Sequence, residues 1–578
     1  MVTEKRSTSA ILERPMDTPI IGAMMGFVLL LWGMGGLRAL PEQKMVYPGE
    51  WVYEALGILS QEQGIVFFMD SSLTVGQIRF LLQDIQEEAL SPSGQVLYDR
   101  LIDYLKGFSG YTVQADGIQV DIDGLVQPEL YFKTNPALEW IYNHHERRPF
   151  FMLPVSISLD SYITAEMDPY FGQNEYAASL HDNYSNIPLD MVSQADVHIP
   201  QRAYLSAGIP FGRASGVHLS VGIGDDFFGR TRTGSIILSE YLERVNYAQL
   251  SFYSPIVRYA AEVMQYEVNK YHYMHYLQMR PHKRISLSFT EGAMVNAPLE
   301  LRYLNPMMIF HSYEGWKTYD DYNAGLNPES VPELDNEGSR VGAFLGVKIE
   351  YLPWKYLRLY GLFAMTQLQL PVERQHWEEL LTPDAVGFQG GLEVSLPSAQ
   401  GYWIFGLEGV YTYPYMYLKE DKGWSYYKEM VEMDRIQVRY WTGTPFGPDS
   451  IVGTFWCNYR RTQVKPGAEW SLGFSLVVAA QGKNSSTAIF DSEAYRPTPE
   501  VADVVRPPTG TPTYTYTLTL LGSWSPLEWL HFSLQPGYKI VSNYAHREGS
   551  MEQGFELTFS ARIQPVSKLK QVLSRQAR

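Results

Sequence analysis

A single cysteine, Cys457, stands in 578 residues, so neither a disulfide framework nor a cysteine-rich metal site is open to this chain. Cys457 lies in a strand-like run, Thr454 to Tyr459, and reads as a packing residue. Basic charge is also short. Against 63 Asp and Glu stand 46 Lys and Arg, a formal net charge of -17. That balance excludes the basic surface that nucleic-acid binding needs. Long apolar runs are nearly absent. The exception, Ile20 to Leu37, is uncharged and follows Lys5, Arg6 and Arg14. It has the form of an export signal, with cleavage expected near Ala39 and a retained anchor as the other reading. No other stretch is long and apolar enough for a membrane helix, and a mean hydropathy of -0.20 is too polar for a bundle of them. Catalytic signatures are missing too: no G-x-S-x-G occurs. His144-His145-Glu146 and His272-x-x-His275 are weak as metal ligands, because in a strand His272 and His275 point to opposite faces. Asp225-Asp226 reads as a charged strand end. The expectation is a protein that is not an enzyme and carries no cofactor or metal.

What is abundant is aromatic: 14% of residues, with 41 Tyr and 13 Trp. Such side chains favour strands and gather at membrane–water boundaries. From about Phe150 the pattern has period two. Phe555, Leu557, Phe559 and Ala561 alternate with Glu556, Thr558 and Ser560; Tyr514, Tyr516 and Leu518 alternate with Thr515 and Thr517. Val341 to Tyr351, Ile285 to Thr290 and Val155 to Asp160 alternate likewise. One apolar face and one polar face suit strands between lipid and a wet lumen. Short Pro-bearing turns flanked by aromatics (around Pro353, Pro397 and Pro526) contrast with long polar connections at Thr318 to Gly338, Lys419 to Asp434 and Lys483 to Pro512. That asymmetry belongs to outer-membrane barrels. Residues 149–564 are read as the barrel, with about 16 to 18 strands. Residues 565–578 are read as a basic periplasmic tail.

Residues 41–148 read as a small α-rich periplasmic domain. Trp51 to Glu62 looks helical. Thr74 with Gln77 forms a capping box opening a second helix, with Ile78, Leu81, Leu82 and Ile85 on one face. Ser91-Pro92 starts a third. Tyr111 to Asp123 alternates around Asp116-Gly117, a hairpin signal.

A series of short motifs resembles capsule-assembly proteins of the Wzi type. His282-Lys-Arg-Ile-Ser-Leu-Ser-Phe-Thr-Glu291 precedes Leu301-Arg302-Tyr303-Leu304-Asn305-Pro306. Gly234 to Ser239, Asp335-Asn336, Leu359-Tyr360-Gly361, Glu408 to Thr412 and Phe446-Gly447-Pro448-Asp449-Ser450 follow the same order of similarity. The resemblance implies an 18-stranded outer-membrane barrel behind a periplasmic helical bundle. It also implies a non-enzymatic protein that binds, anchors or assembles surface polysaccharide; a porin for small solutes is the alternative. The partners expected on this reading are outer-membrane lipid, surface polysaccharide and the barrel-assembly machinery, with the chain a monomer. Trp424, Tyr426 and Tyr427, in an aromatic outer loop, are the candidates for stacking on sugar rings.

Overall fold

The alternation becomes a closed antiparallel wall in the computed structural model. It describes residues 41–47, 49, 51–106, 111–138, 148–173, 183–187, 195–198, 202–211, 215–310, 341–368, 383–419, 422–432, 435–462, 469–484, 506–527 and 529–564. The signal segment, the His144-His145 linker, Thr318 to Gly338 and the basic tail lie outside the described residues, as does most of Lys483 to Pro512.

Among the described residues the wall has eighteen staves. Fourteen are single strands, from Ser215–Gly224 to Met551–Ile563; four are collinear pieces spanning 118–133, 151–159, 163–173 and 195–211. Pro128, Pro154 and Pro169 sit at three of the breaks, where a residue without an N–H cannot continue the ladder. The last strand, Met551–Ile563, pairs back onto the first stave, with Phe559 opposite Leu130 and Ile563 opposite Val126. Closure of this kind removes the sheet edge.

The closing partner moves the start of the barrel from 149 to 118. Glu129–Lys133 carries the alternation in five residues: Glu129, Tyr131 and Lys133 are buried, while Leu130 and Phe132 face out. The hairpin strand Ile118–Ile122, assigned from the sequence to the helical domain, instead pairs with Val155–Leu159 in the wall.

The outer face is apolar and exposed, as at Leu287, Phe289, Val347, Ile349, Leu476 and Leu518; their neighbours Ser286, Ser288, Lys348 and Thr517 face inward and are buried. An exposed apolar belt of this extent is lipid-facing surface. Near the short turns Trp403, Tyr459 and Trp470 form a row, with ring centroids 4.9 and 5.3 Å apart. Among the described residues no helix is long and apolar enough to cross a membrane.

Among the described residues three α-helices precede the wall: α1 (Trp51–Gln63), α2 (Val75–Leu82) and α3 (Pro92–Lys106). Thr74 caps α2 in a full capping box with Gln77. The N–H of Gly94, early in α3, donates to the Ser91 hydroxyl at 3.1 Å. α2 ends at Leu82, so Ile85 lies beyond it, though buried. α1 is buried on nearly every side, the mark of a helix surrounded by protein. Its surroundings include the wall: Tyr402 and Ile404 belong to the same apolar cluster as Leu56, Leu59 and Leu101.

Candidate functional site: a lumen filled from both ends

The helices close the short-turn end of the barrel from within. Their polar residues bond to lumen-facing groups of the wall. Gln61 Nε2 donates to Glu393 at 2.7 Å, and the Tyr402 hydroxyl to Glu62 at 2.8 Å. Ion pairs ring the margin: Arg280 with Asp84 at 2.9 Å and Arg460 with Glu54 at 2.8 Å.

From the opposite end, the connection 225–244 folds down into the barrel. Phe228, Ile236, Ile237 and Leu238 are fully buried there, against Phe344, Leu362 and Val410 of the wall. The wall makes room with small residues. A Cβ on Gly346 would lie 2.9 Å from Ile237 Cδ1. Wall side chains also satisfy the loop's backbone. Glu408 accepts from the N–H of Arg232 at 2.9 Å and of Thr233 at 2.8 Å, and Gln389 accepts from Ile236 N at 3.0 Å. A buried loop needs such partners, because its backbone has left water and joined no ladder.

The two fillings meet at Asp70, just before α2. Its carboxylate pairs with Lys348 of the wall and accepts from Gln278 at 2.8 Å. Its carbonyl accepts from Gly229 N of the inward loop at 3.3 Å. Lys348 is also bonded to Glu350 at 2.7 Å, Glu350 to Arg358 at 2.8 Å, and Arg358 to the Arg230 carbonyl at 2.7 Å. Arg230 returns to Glu393 at 3.0 Å. Lys348, Glu350 and Arg358 are at most 4% exposed in side-chain terms, so every charge in this chain is answered by another. Close approach reinforces the junction: a Cβ on Gly57 of α1 would lie 2.1 Å from the Arg230 guanidinium. Beside it, Asp226 accepts from Ser72 N at 3.0 Å and Gln249 at 2.9 Å. It is thus a buried joint between loop, helical segment and wall. Asp225, read with it as a strand end, remains partly open and faces Arg202 at 3.7 Å.

A second hairpin, Tyr427–Glu432 with Arg435–Trp441, stands apart from the barrel sheet and caps the inward loop. Ser239 N donates to the Thr442 carbonyl at 2.8 Å, and the Tyr417 hydroxyl to Ile236 O at 2.8 Å. Lys428 donates to the carbonyls of Glu243 and Arg244 at 2.8 and 2.7 Å. Burial pushes its ammonium down to about 8, against the pull of Glu243.

This hairpin overturns the stacking expectation. Tyr426 is 0% and Tyr427 5% exposed. Tyr426 bonds the Gly342 carbonyl and packs edge-on to His272; Tyr427 packs against Trp441. Both serve the core, because their rings fill the space between hairpin and wall. Trp424 stays partly exposed at its margin. The motif residues Arg302, Tyr303, Asn305, Pro306, Gly447, Pro448 and Asp449 do not converge either. Arg302, Tyr303, Asn305 and Pro306 lie in a segment packed on the outside of the wall. Gly447, Pro448 and Asp449 form a turn at the long-loop rim. There Asp449 is fully buried and accepts from Asn484 N at 3.0 Å and Thr509 N at 2.9 Å. His272 and His275 do face opposite ways: His272 meets Tyr426 in the lumen, and His275 meets Phe310 outside. No group of three or more candidate metal ligands occurs among the described residues.

No known family profile matches the chain, and no curated protein does. Among solved structures it is similar to Wzi of Escherichia coli, described as an outer-membrane protein involved in group 1 capsule assembly and a carbohydrate-binding β-barrel. The identity is 12% and the TM-score 0.54, over 89% of this chain and 99% of that one. OprD of Pseudomonas aeruginosa aligns at 10% identity with a TM-score of 0.38, over 77% and 95%. The DcaP channel of Acinetobacter baumannii aligns at 9% and 0.32, over 79% and 100%. At such identities the likeness is one of fold: that of an outer-membrane β-barrel.

Proposed function

We propose that this protein is a non-enzymatic outer-membrane barrel of a diderm bacterium that binds or anchors surface polysaccharide at its long-loop end, with its helices on the periplasmic side. The observation that carries the reading is the filled lumen. A channel for small solutes needs a continuous wet path. Here the helical segment and the inward loop meet at Asp70, with charges paired to each other. A barrel whose interior is given over to structure keeps its outer end for binding. The motif series and the similarity in fold to a carbohydrate-binding barrel point the same way. Of the three candidate aromatics, Trp424 keeps an open edge. The porin reading, which the other neighbours bring to mind, predicts a large steady current in planar bilayers; the present reading predicts a silent barrel. The second arm is cellular. Deletion of the gene should release surface polysaccharide into the medium, and unchanged retention would reject the proposal.

A further inference from the structure

The connection 297–310 leaves the rim after Ile285–Asn296 and turns back down the outside of the barrel. Strand alternation makes Tyr259, Val263, Tyr271, Tyr273 and His275 outward-facing, since Arg258, Met264, His272 and Met274 line the lumen. In a wall that faces lipid, such residues should be exposed, yet Tyr273 is 1% exposed. The segment covers it. Tyr303 stacks on Tyr273 with centroids 4.8 Å apart, and Phe310 packs on His275 at 4.5 Å. The Tyr259 hydroxyl donates to the Pro306 carbonyl.

That last contact sets the depth. Tyr259 is opposite Phe252 on one side and Leu277 on the other, and Leu277 is opposite Phe289, so partners on both sides bracket its depth whatever the strand tilt. Phe252 and Phe289 are 40% and 43% exposed members of the apolar belt. The segment therefore descends from the rim to the level of the belt. Its own outer surface is mainly apolar: Leu299, Leu301, Leu304, Met307 and Ile309 are 41 to 84% exposed, while the exposed Arg302 pairs with Glu300 at 2.6 Å and the exposed Asn305 accepts from Met307 N. Beneath it the wall carries His275 and, at the facing position, Glu291, which suit lipid poorly.

Irregular backbone at that depth needs its polar groups answered from within, and many are. Tyr303 N donates to Glu300 O at 3.3 Å, Asn305 N to Arg302 O at 3.3 Å and Met308 N to Asn305 O at 3.1 Å. Met307 N donates to the Asn305 side chain at 3.1 Å. Pro298 and Pro306 carry no N–H.

We infer that residues 297–310 form a membrane-embedded flap whose Leu, Met and Ile side chains contact lipid acyl chains in the leaflet on the long-loop side. It extends the apolar belt over a polar-aromatic stretch of wall. The inference rests on the wall facing lipid and is independent of any glycan. Its occupant is acyl chain because the exposed Leu, Met and Ile side chains run on from the belt, while Arg302 and Asn305 among them are bonded within the segment.

The lone cysteine makes the test direct. In a Cys457→Ser background, Leu301→Cys, Met307→Cys and Ile309→Cys would each carry a nitroxide in phospholipid vesicles, with Leu518→Cys as a belt reference and Glu548→Cys as a loop reference. Correct folding is checked by heat-modifiable migration, and any one folded flap variant suffices. The expected result is oxygen access high and nickel-chelate access lost to the Leu518 level. Nickel access at the Glu548 level would put the flap in water and overturn the inference. Low access to both would put it against a second protein surface and overturn it equally. Nickel access at Leu518 itself would instead refute the lipid-facing wall.

Discussion

The wall and what fills it are built on different principles. The wall is periodic: outward residues of a stave such as Thr513–Leu527 face lipid, inward ones face the lumen, and the ladder satisfies the backbone. The filling is aperiodic. The loop 225–244 and the segment around Asp70 make no ladder with each other, so their polar groups are answered one by one, by Glu408, Gln389, Gln278 and Lys348. Removing one wall residue weakens a belt; removing one lumen residue leaves a charge or a carbonyl without its partner. The filling should therefore be the more fragile of the two, and able to fail alone.

The largest expected effect tests that separation. Lys348→Met leaves the Asp70 carboxylate buried without its cation, and breaking such a pair costs about 3–5 kcal/mol. The helices should then become protease-sensitive and the barrel begin to conduct, while heat-modifiable migration of the wall stays normal. If wall and helices melt together instead, the two regions are one cooperative unit. Next comes the wall: Leu518→Arg, in the exposed belt opposite Leu476 and Tyr538, should cost about 2–4 kcal/mol in bilayer refolding titrations. Protease resistance of the helices in the folded fraction should not change. A smaller effect attends the cap of α2. Thr74→Ala removes its bond to Gln77 N and should lower stability by about 1 kcal/mol, visible as faster proteolysis of the helical segment.

A pH-dependent effect attends the outer hairpin. Burial holds the folded Lys428 near 8, below its ordinary value of 10.5. Between those values the unfolded state binds the extra proton, so stability rises with pH across that window and the penalty is complete below it. Thermal melts from pH 8 to 10 should show a rising Tm that Lys428→Met flattens.

Much of the wall was legible in the residues. Phe555 to Ser560 and Tyr514 to Leu520 lie with the faces their alternation implied, while at Ala561 and Arg562 the burial reverses; a period of two survives whatever the strand packs against. The first stave was missed, since Pro128 interrupts it and five residues, Glu129–Lys133, carry its signal. The capping box at Thr74 was readable because its partners are three residues apart. The site was not. Asp70 and Lys348 are 278 residues apart in the chain, and no local pattern links them. Tyr426 and Tyr427 looked like surface aromatics because a polar loop surrounds them; that the loop folds inward follows from contacts with Gly342 and Trp441.

By itself, then, the sequence settled the kind of surface this protein has: strands with one apolar face, aromatics at their ends, and helices ahead of them, two of them with readable caps. Those features are local, set by backbone periodicity and by hydrogen bonds a few residues long. Which strand closes the barrel, where the helices sit, and that a loop from the far end comes down to meet them were decided only in three dimensions. A lumen is empty or full according to which distant groups answer each other's charges and N–H bonds, and here Asp70, Lys348, Glu350 and Arg358 answer one another.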